Sequence, residues 1–567
     1  MAEATDTEQI VTVCIGQCGN QIGFAFLDAL ASFYGLSKAR SSSTSPSNAP
    51  PAISGAVSRF FRETPQLQMK TRPKLEQNGH PVEGTSTDGA KPPMKSPRQR
   101  SKGATEGMNS KSHPTKHGMG EPSIASGRAS QKGSLVLSDG DTPKASASQS
   151  RKQQAPLRAI PFTARAIVID TEAKVLKTIS EKASRSKTWQ YAEYNLQCSA
   201  KTGAANNWAF GYYGHGPGTY ENVSTALRSE VNRCTNFQGF LVIQSLAGGT
   251  GSGLGSFVTE RMREDFPDAR IVNVVVWPFR TGEVIVQNYN IIFTISSLYK
   301  VSDALLVLRN DDLHQICSKR LGLDTVSLDD MNHVVAYMLL NMFHTTIRRT
   351  VSAVGRIDAS SRKTPSQTEV APHYKECTTV FQALVAHLCQ HRAFKLVTLR
   401  YTPQVPSKAI PFSVFTWPSL LKHLSQMQLT DVPIDENLNW DPPTAVARSS
   451  PSGAQLCVAQ ILILRGLPQS ESVDMVDFST KFCSPQSVEH PLQIWSARDS
   501  ISYEKSALLL SNSKAFLPDM TRICDRVHTM YYHQAYVHHY VRFGMSKQAI
   551  EAAIVFYEKV MTAYKLL

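Results

Sequence analysis

The sequence predicts an α/β fold, a parallel sheet covered by helices on both faces. Three observations lead there. Short Val/Ile/Leu-rich runs alternate along the chain with stretches of helical spacing. Polar and glycine-rich clusters fall at the ends of those runs, where open parallel sheets collect their ligands. The chain of 567 residues leaves room for several domains and a sizeable core.

The elements follow in order. "EQIVTVCI" has the pattern of a buried strand. It runs into "GQCGNQIG", Gly16–Gly23, read as a glycine-flanked turn between the first strand and the first helix. In that helix Ile22, Phe26, Ala29, Leu30 and Phe33 share a face. "ARAIVID" is a second apolar run, ending in Asp170. "GFLVIQSLAGGTGSGLGSFVTERMRED" reads as strand, glycine-rich loop and helix. "ARIVNVVVWPF" and "SDALLVLRND" are further strands, the latter ending at Asn310. Later, "FKLVTLRYT" and "LCVAQILILRG" read as strands, and "SKAFLPDMTRICDRVHTMYY" as a helix. The last helix places Ile550, Ile554, Tyr557, Met561 and Tyr564 on one face, a core stripe.

The net charge of +14 looks like a nucleic-acid signal until it is located. Of the 60 Lys+Arg and 46 Asp+Glu, 20 and 8 lie in Ser37–Arg158, so nearly all the surplus belongs to one segment. That segment is rich in Ser, Pro, Gly, Lys and Arg and carries long stretches without apolar residues. Such a composition cannot offset the entropy of ordering, so the reading is a disordered, surface-mounted insertion. Its basic character also suits acidic partners. No apolar run approaches the roughly 20 residues that span a bilayer, and the polar N-terminus is not a secretory signal. The ten cysteines form no CxxC pair, so neither a zinc site nor a disulfide framework is expected, and a reducing, intracellular setting fits.

The chemistry concentrates at "AGGTGSG", Ala247–Gly253. Glycines permit left-handed backbone angles and close approach of amides to an anion. The following helix adds free N–H groups and its positive dipole end. The loop therefore reads as a phosphate cradle, with a plain tight strand–helix turn as the alternative. It has neither the GK[ST] ending of the P-loop nor the GxGxxG spacing of the dinucleotide fold.

"GQCGNQIG" and "AGGTGSG" together resemble the tubulin superfamily, with Ala247 where a glycine is usual. "GAANNWAFGYYGHGP" (Gly203–Pro217), "NYN" around Tyr289 and "LLLSNSKAF" (Leu508–Phe516) match in the same order. The resemblance covers nearly all the chain outside Ser37–Arg158 and a poorer stretch around Arg348–Ala371. The opening motif and "TGEVIVQNYN" (Thr281–Asn290) are most similar to the delta-tubulin family.

The resemblance implies a tubulin-like fold. Residues 1–36 and 159–345 form a parallel-sheet GTP-binding domain, 37–158 the insertion, 346–510 an α+β intermediate domain, and 511–567 a C-terminal helical region without the long acidic tail. It also implies site residues for GTP or GDP. Gln17, Cys18 and Gln21 line the nucleotide, with Cys18 packed beneath it and not acting as a nucleophile. Ser245, Ala247, Gly248, Gly249, Thr250, Gly251, Ser252 and Gly253 make the phosphate loop. Asn206 reaches the terminal phosphate, Glu283 the ribose, and Asn310 and Asn332 the guanine. Asp170 and Glu172 would hold Mg²⁺, a hard cation served by one or two carboxylates plus phosphate. Read alone, that acid pair also suits a helix start, and each asparagine a turn or cap.

Two departures stand out. Leu328, in "VSLDDMNH", occupies the place of an aromatic ring that stacks on the base. The acid that activates water in a neighbouring subunit's site falls on Ala383 or Val380, with Glu376 the nearest carboxylate. The resemblance thus implies a GTP-binding structural tubulin of the centriole or basal body, in the cytoplasm and cytoskeleton, hydrolysing GTP weakly or only with a partner. Its partners would be other tubulins (epsilon, or alpha/beta) and centriolar proteins, with no membrane and no specific nucleic acid. A microtubule-forming GTPase of alpha/beta type and a non-polymerising GTP-binding switch are the competing readings.

Overall fold

The computed structural model describes residues 7–36, 55–64, 160–198, 203–282, 284–349, 356–357, 379–435, 456–468, 471, 473–474 and 491–567. One compact unit comprises Met1–Gln66 and Arg158–Leu567. Residues 67–157 lie outside the described residues.

The main sheet contains β1 (Gln9–Ile15), β2 (Ala166–Asp170), β3 (Leu196–Cys198), β4 (Phe237–Ser245), β5 (Arg270–Trp277) and β6 (Ala304–Arg309). It continues with β7 (Ile347–Arg349), β8 (Leu396–Thr402), β9 (Cys457–Arg465), β10 (Leu492–Ala497) and β11 (Ser506–Ser513). The spatial order is β7-β10-β9-β11-β8-β6-β5-β4-β1-β2-β3. From β3 to β8 every neighbour is parallel. Beyond β8 the pairing turns antiparallel through β11.

The helices used below are α1 (Gly16–Phe33), α2 (Ala173–Arg185), α3 (Gly216–Val231), α4 (Gly255–Asp265), α5 (Gln287–Val301) and α6 (Asn310–Gln315). They are followed by α7 (Leu328–Phe343), α8 (Trp417–Thr430), α9 (Leu517–Tyr532), α10 (Val537–Val541) and α11 (Lys547–Lys565). Strand side chains alternate between faces. Ile10 and Cys14 of β1 join the core beneath α1 and α7. Val11, Val13 and Ile15 join the opposite core beneath α3 and α4. A strand buried on both faces is therefore apolar nearly throughout, as the sequence shows. On α11 the buried residues are Ile550, Ile554, Tyr557, Val560, Met561 and Tyr564, the expected stripe with one addition.

One expectation needs correction. Gly55–Ser58 forms a helical turn and Phe61–Glu63 a strand paired with Phe162–Ala164, so the 37–158 insertion contains a folded piece. Phe60 and Phe61 are 1% and 0% exposed. The Arg62 guanidinium donates to the buried Glu230 carboxylate at 2.9 Å. An apolar cluster that builds core outweighs the composition around it. Across the boundary expected at 345/346 the sheet is continuous, with β8 pairing directly with β6.

Candidate nucleotide-binding site

Because β1, β2, β4 and β6 all run parallel, their C-terminal ends share one edge of the sheet. Gly16, Asp170, Ser245 and Asn310 stand at that edge. The "GQCGNQIG" motif is not an extended turn. The chain changes direction at Gly16, φ +73°, which is already the first residue of α1. A Cβ on Gly16 would lie 2.7 Å from Gly251 N, and one on Gly19 would collide with the carbonyl of Ile243. The motif's glycines thus let the start of α1 lie directly against β4 and its loop.

The glycine loop works the same way. None of Gly248, Gly249, Gly251 or Gly253 has a positive φ, so the expected left-handed backbone is absent there. A Cβ on Gly249 would strike Ala204 O, one on Gly253 would strike Trp208 O, and one on Gly251 would lie 3.1 Å from Ser245 N. The glycines are needed for backbone-to-backbone contact with residues 204–208 and β4. Gly248 differs: its Cβ would meet only Asn206 Oδ1, at 3.9 Å, so this position opens toward the Asn206 amide. Gly248, Thr250 and Ser245 are half-buried. Ser252 and Gly253 lie behind the loop, both buried, with the Ser252 hydroxyl donating to Gly248 O.

A residue given no role from sequence holds this assembly together. Asn290 of α5 is fully buried. Its Nδ2 donates to Ala247 O at 2.7 Å and to Asn206 O at 2.8 Å. Its Oδ1 accepts from Trp208 N at 3.2 Å and from the Tyr540 hydroxyl at 2.8 Å. One amide therefore joins the glycine loop, the 204–208 segment and α10. Ala205 and Asn206 both sit at positive φ, +47° and +53°. Asn tolerates that region better than most residues, and its exposed side chain is presented beside Gly248.

Asp170 is buried at the end of β2. Its Oδ2 accepts from Asn20 Nδ2 at 2.9 Å and its Oδ1 from Glu172 N at 3.2 Å. Burial pushes its carboxyl up to about 6, against the pull of those hydrogen bonds. Asn20 also donates to Ile169 O at 3.1 Å, which locks α1 to β2. Thr171 and Thr250 share a hydroxyl hydrogen bond of 2.8 Å, bringing the acid pair to the glycine loop. Glu172 is exposed, and a Cβ on Gly203 would lie 2.8 Å from its Oε1. Of the two acids, Glu172 has the free carboxylate.

Gln17 is exposed and Cys18 half-buried at the start of α1. Burial pushes the Cys18 thiol up to about 12, which keeps it protonated and unreactive near neutral pH. Gln21 and Asn332 line one groove of ≈ 560 Å³ together with Phe24, Asp28, Lys182 and His333. Asn310 opens α6, which packs on α7. Leu328 opens α7 within a capping box, Ser327 with Asp330, and is 57% exposed one turn before Asn332. Glu283 lies outside the described residues. Asn20, Thr171 and Asn290 were missed because only their partners, distant in sequence, reveal them. The one available signal was a polar side chain inside an otherwise apolar helix or strand junction.

The family described as Tubulin/FtsZ family, GTPase domain, matches residues 153–318. Tubulin delta chains of Macaca fascicularis and Homo sapiens are each 34% identical over 412 residues, spanning 71% of this chain and 86% of theirs. The chain belongs to the tubulin family. The human Tubulin beta-1 chain is 32% identical over 203 residues, 36% of this chain and 43% of its own length. As a tubulin with the GTPase domain, it is a GTP-binding cytoskeletal protein of a family whose members interact with other tubulins. No helix among the described residues is long and apolar enough to cross a membrane.

In this tubulin Val380 and Ala383 lie in one helical turn, 4% and 0% exposed. Neither presents a side chain to a neighbouring molecule. Glu376 lies outside the described residues.

Proposed function

We propose that this tubulin binds GTP at the β-strand edge and serves as a structural tubulin of the centriole or basal body, acting in the assembly of centriolar and ciliary or flagellar triplets. The observation that carries the reading is the similarity to delta chains over 86% of their length. The geometry fits a nucleotide. Gly248 leaves an open cradle beside Asn206, Gln17 is exposed toward the solvent at the start of α1, and Gln21 and Asn332 share a groove. No Lys or Arg is among the proposed phosphate contacts. Phosphate charge would be met by backbone amides, the helix start and Mg²⁺. Glu172 would hold that ion, through its free carboxylate, while Asp170 fixes Asn20 of α1 and the Glu172 amide beside it. Mg²⁺ bound there would neutralise the phosphates, and this chain's own residues would orient them.

Hydrolysis would be slow without a partner, because the buried Ala383 and Val380 supply no base. A positioned general base is worth roughly 10²–10⁴-fold. The proposed partners are epsilon- or alpha/beta-tubulin and centriolar proteins. Localising a tagged copy tests the cellular role: concentration at centrioles is expected, and incorporation along the microtubule lattice overturns it. Thermal stabilisation tests the ligand. GTP with Mg²⁺ should stabilise the chain more than ATP, and Glu172→Gln should shrink the Mg²⁺-dependent part. Equal shifts with both nucleotides would remove the guanine assignment.

A further inference from the structure

Helices α9 and α11 pack side by side and both cover α5. Along their seam three side chains of different chemistry converge. Cys524 and His528 lie one turn apart on α9, so they share a face. Glu558 of α11 stands opposite. His528 Nε2 is 2.6 Å from Glu558 Oε1, and Cys524 Sγ is 3.9 Å from the same oxygen. The three ligand atoms all lie within 4.8 Å of one another, and among the described residues no other His/Cys/Asp/Glu trio does this.

We propose that Cys524, His528 and Glu558 form a Zn²⁺ site that staples α9 to α11. The donor set is one thiolate sulfur, one imidazole nitrogen and one carboxylate oxygen, a combination that suits borderline-soft zinc. Magnesium and calcium demand oxygen ligands and would not use the thiol. A tetrahedral zinc ion with bonds of about 2.3 Å to sulfur and about 2.0–2.1 Å to nitrogen and oxygen holds its ligand atoms about 3.3–3.6 Å apart. The His528–Glu558 pair opens slightly and the Cys524–Glu558 pair closes slightly to reach that spacing. Small rotations of two half-exposed side chains suffice. Binding releases the thiol proton of Cys524 to solvent, and water takes the fourth position, because His528 and Glu558 face outward.

An ion pair between His528 and Glu558 alone explains less. An exposed pair of that kind contributes little stability, and it gives no reason for a 3%-exposed thiol aimed at the same carboxylate oxygen. The staple also has a structural consequence. The first turn of α9 carries Asp519, which reaches Arg280 at 3.1 Å and Arg309 at 3.6 Å, next to Asn310. Fixing α9 on α11 holds that support in place.

The test is a Co²⁺ titration of the full chain after chelator treatment, with GTP and Mg²⁺ saturating so that the nucleotide cradle is filled. One equivalent of Co²⁺ should give a thiolate-to-metal charge-transfer band and the intense visible bands of a tetrahedral ion, both erased by Zn²⁺. His528→Ala, at a half-exposed position, and Glu558→Gln should weaken binding at least ten-fold. Cys524→Ser should abolish the charge-transfer band while circular dichroism remains that of the wild type. Absence of the band in the wild type overturns the proposal. So does a band that survives Cys524→Ser, which would assign it to another of the ten cysteines, or one unaffected by His528→Ala.

Discussion

Asn290→Ala should be among the most damaging single substitutions in the nucleotide-binding half. The side chain is 0% exposed and makes four hydrogen bonds, two given and two accepted. Truncation leaves Ala247 O and Trp208 N without their buried partner, and the Tyr540 hydroxyl keeps only its longer bond to Val286 O at 3.4 Å. Asn206 O, only partly buried, can turn to water. At about 1 kcal/mol for each stranded buried group, the loss is about 2–3 kcal/mol, above the ordinary cost of a point substitution of about 1 kcal/mol. Tyr540→Phe removes one donor and leaves Asn290 Oδ1 still bonded to Trp208 N, so it should cost about 1 kcal/mol. Urea unfolding followed by tryptophan fluorescence compares the two variants. The same pair of donors holds the glycine loop and the 204–208 segment in register, so GTP-induced stabilisation should also shrink in Asn290→Ala. If that variant unfolds no earlier than Tyr540→Phe and responds normally to GTP, the hub described here does not organise the site.

Leu328→Tyr should tighten guanine-nucleotide binding by about 5–150-fold, the equivalent of about 1–3 kcal/mol of base stacking; titration with a fluorescent GTP analogue measures it, and unchanged affinity would move the base away from α7. Deleting residues 67–157 should leave a folded, nucleotide-binding chain, since long surface insertions cost little closure entropy. Deleting 37–158 instead should destabilise it severely, because Phe60, Phe61 and the Arg62–Glu230 pair go with it; equal melting temperatures for the two deletions would refute this. Burial, reinforced by the Arg465 charge, lowers the His344 pKa from its ordinary value to about 4. The folded chain therefore holds this ring neutral while the unfolded chain protonates it, so stability is full above the unfolded value and falls as pH drops from about 6.5 toward 4. His344→Gln should flatten that part of the acid limb in pH-dependent unfolding.

Much of the fold was legible because it rests on local pattern. The Val/Ile-rich runs became β1, β2, β4, β5 and β6, and the apolar stripe of α11 is the buried one. What escaped was non-local or masked by averaging. The residues from Gly55 to Glu63 sit inside a basic, low-complexity stretch whose mean composition hides two core phenylalanines. The pairing of β6 with β8 joins Leu305 to Leu396, far apart in the chain, and no local signal announces it. The site was legible as motif and illegible as contact. Glycines at 249 and 253 announce a loop, yet whether they serve a twisted backbone or an abutting one depends on residues 204–208. Cys524 and His528 escaped because a search for paired cysteines passes over a thiol and an imidazole one helical turn apart.

The placement of Asn310 is supported by charge as well as by packing. Arg309, the residue before it, is 12% exposed and meets three carboxylates: Asp312 at 2.5 Å, Asp431 at 3.5 Å and Asp519 at 3.6 Å. These belong to α6, to the C-terminal end of α8 and to α9. Asp431 is shared with Arg400 of β8, at 2.5 Å. A guanidinium offers donors in several directions from one rigid plane, which lets a single side chain join three elements. Asp519 is buried, at 4% side-chain exposure, and Asp312 and Asp431 are partly buried, so separating these acids from the cation carries a desolvation cost, greatest at Asp519. An element carrying Asn310 therefore cannot shift without dragging α8 and α9 or stranding a charge. The continuous sheet and this cation together link the nucleotide edge, the β8–β11 strands and helix α9 through direct contacts.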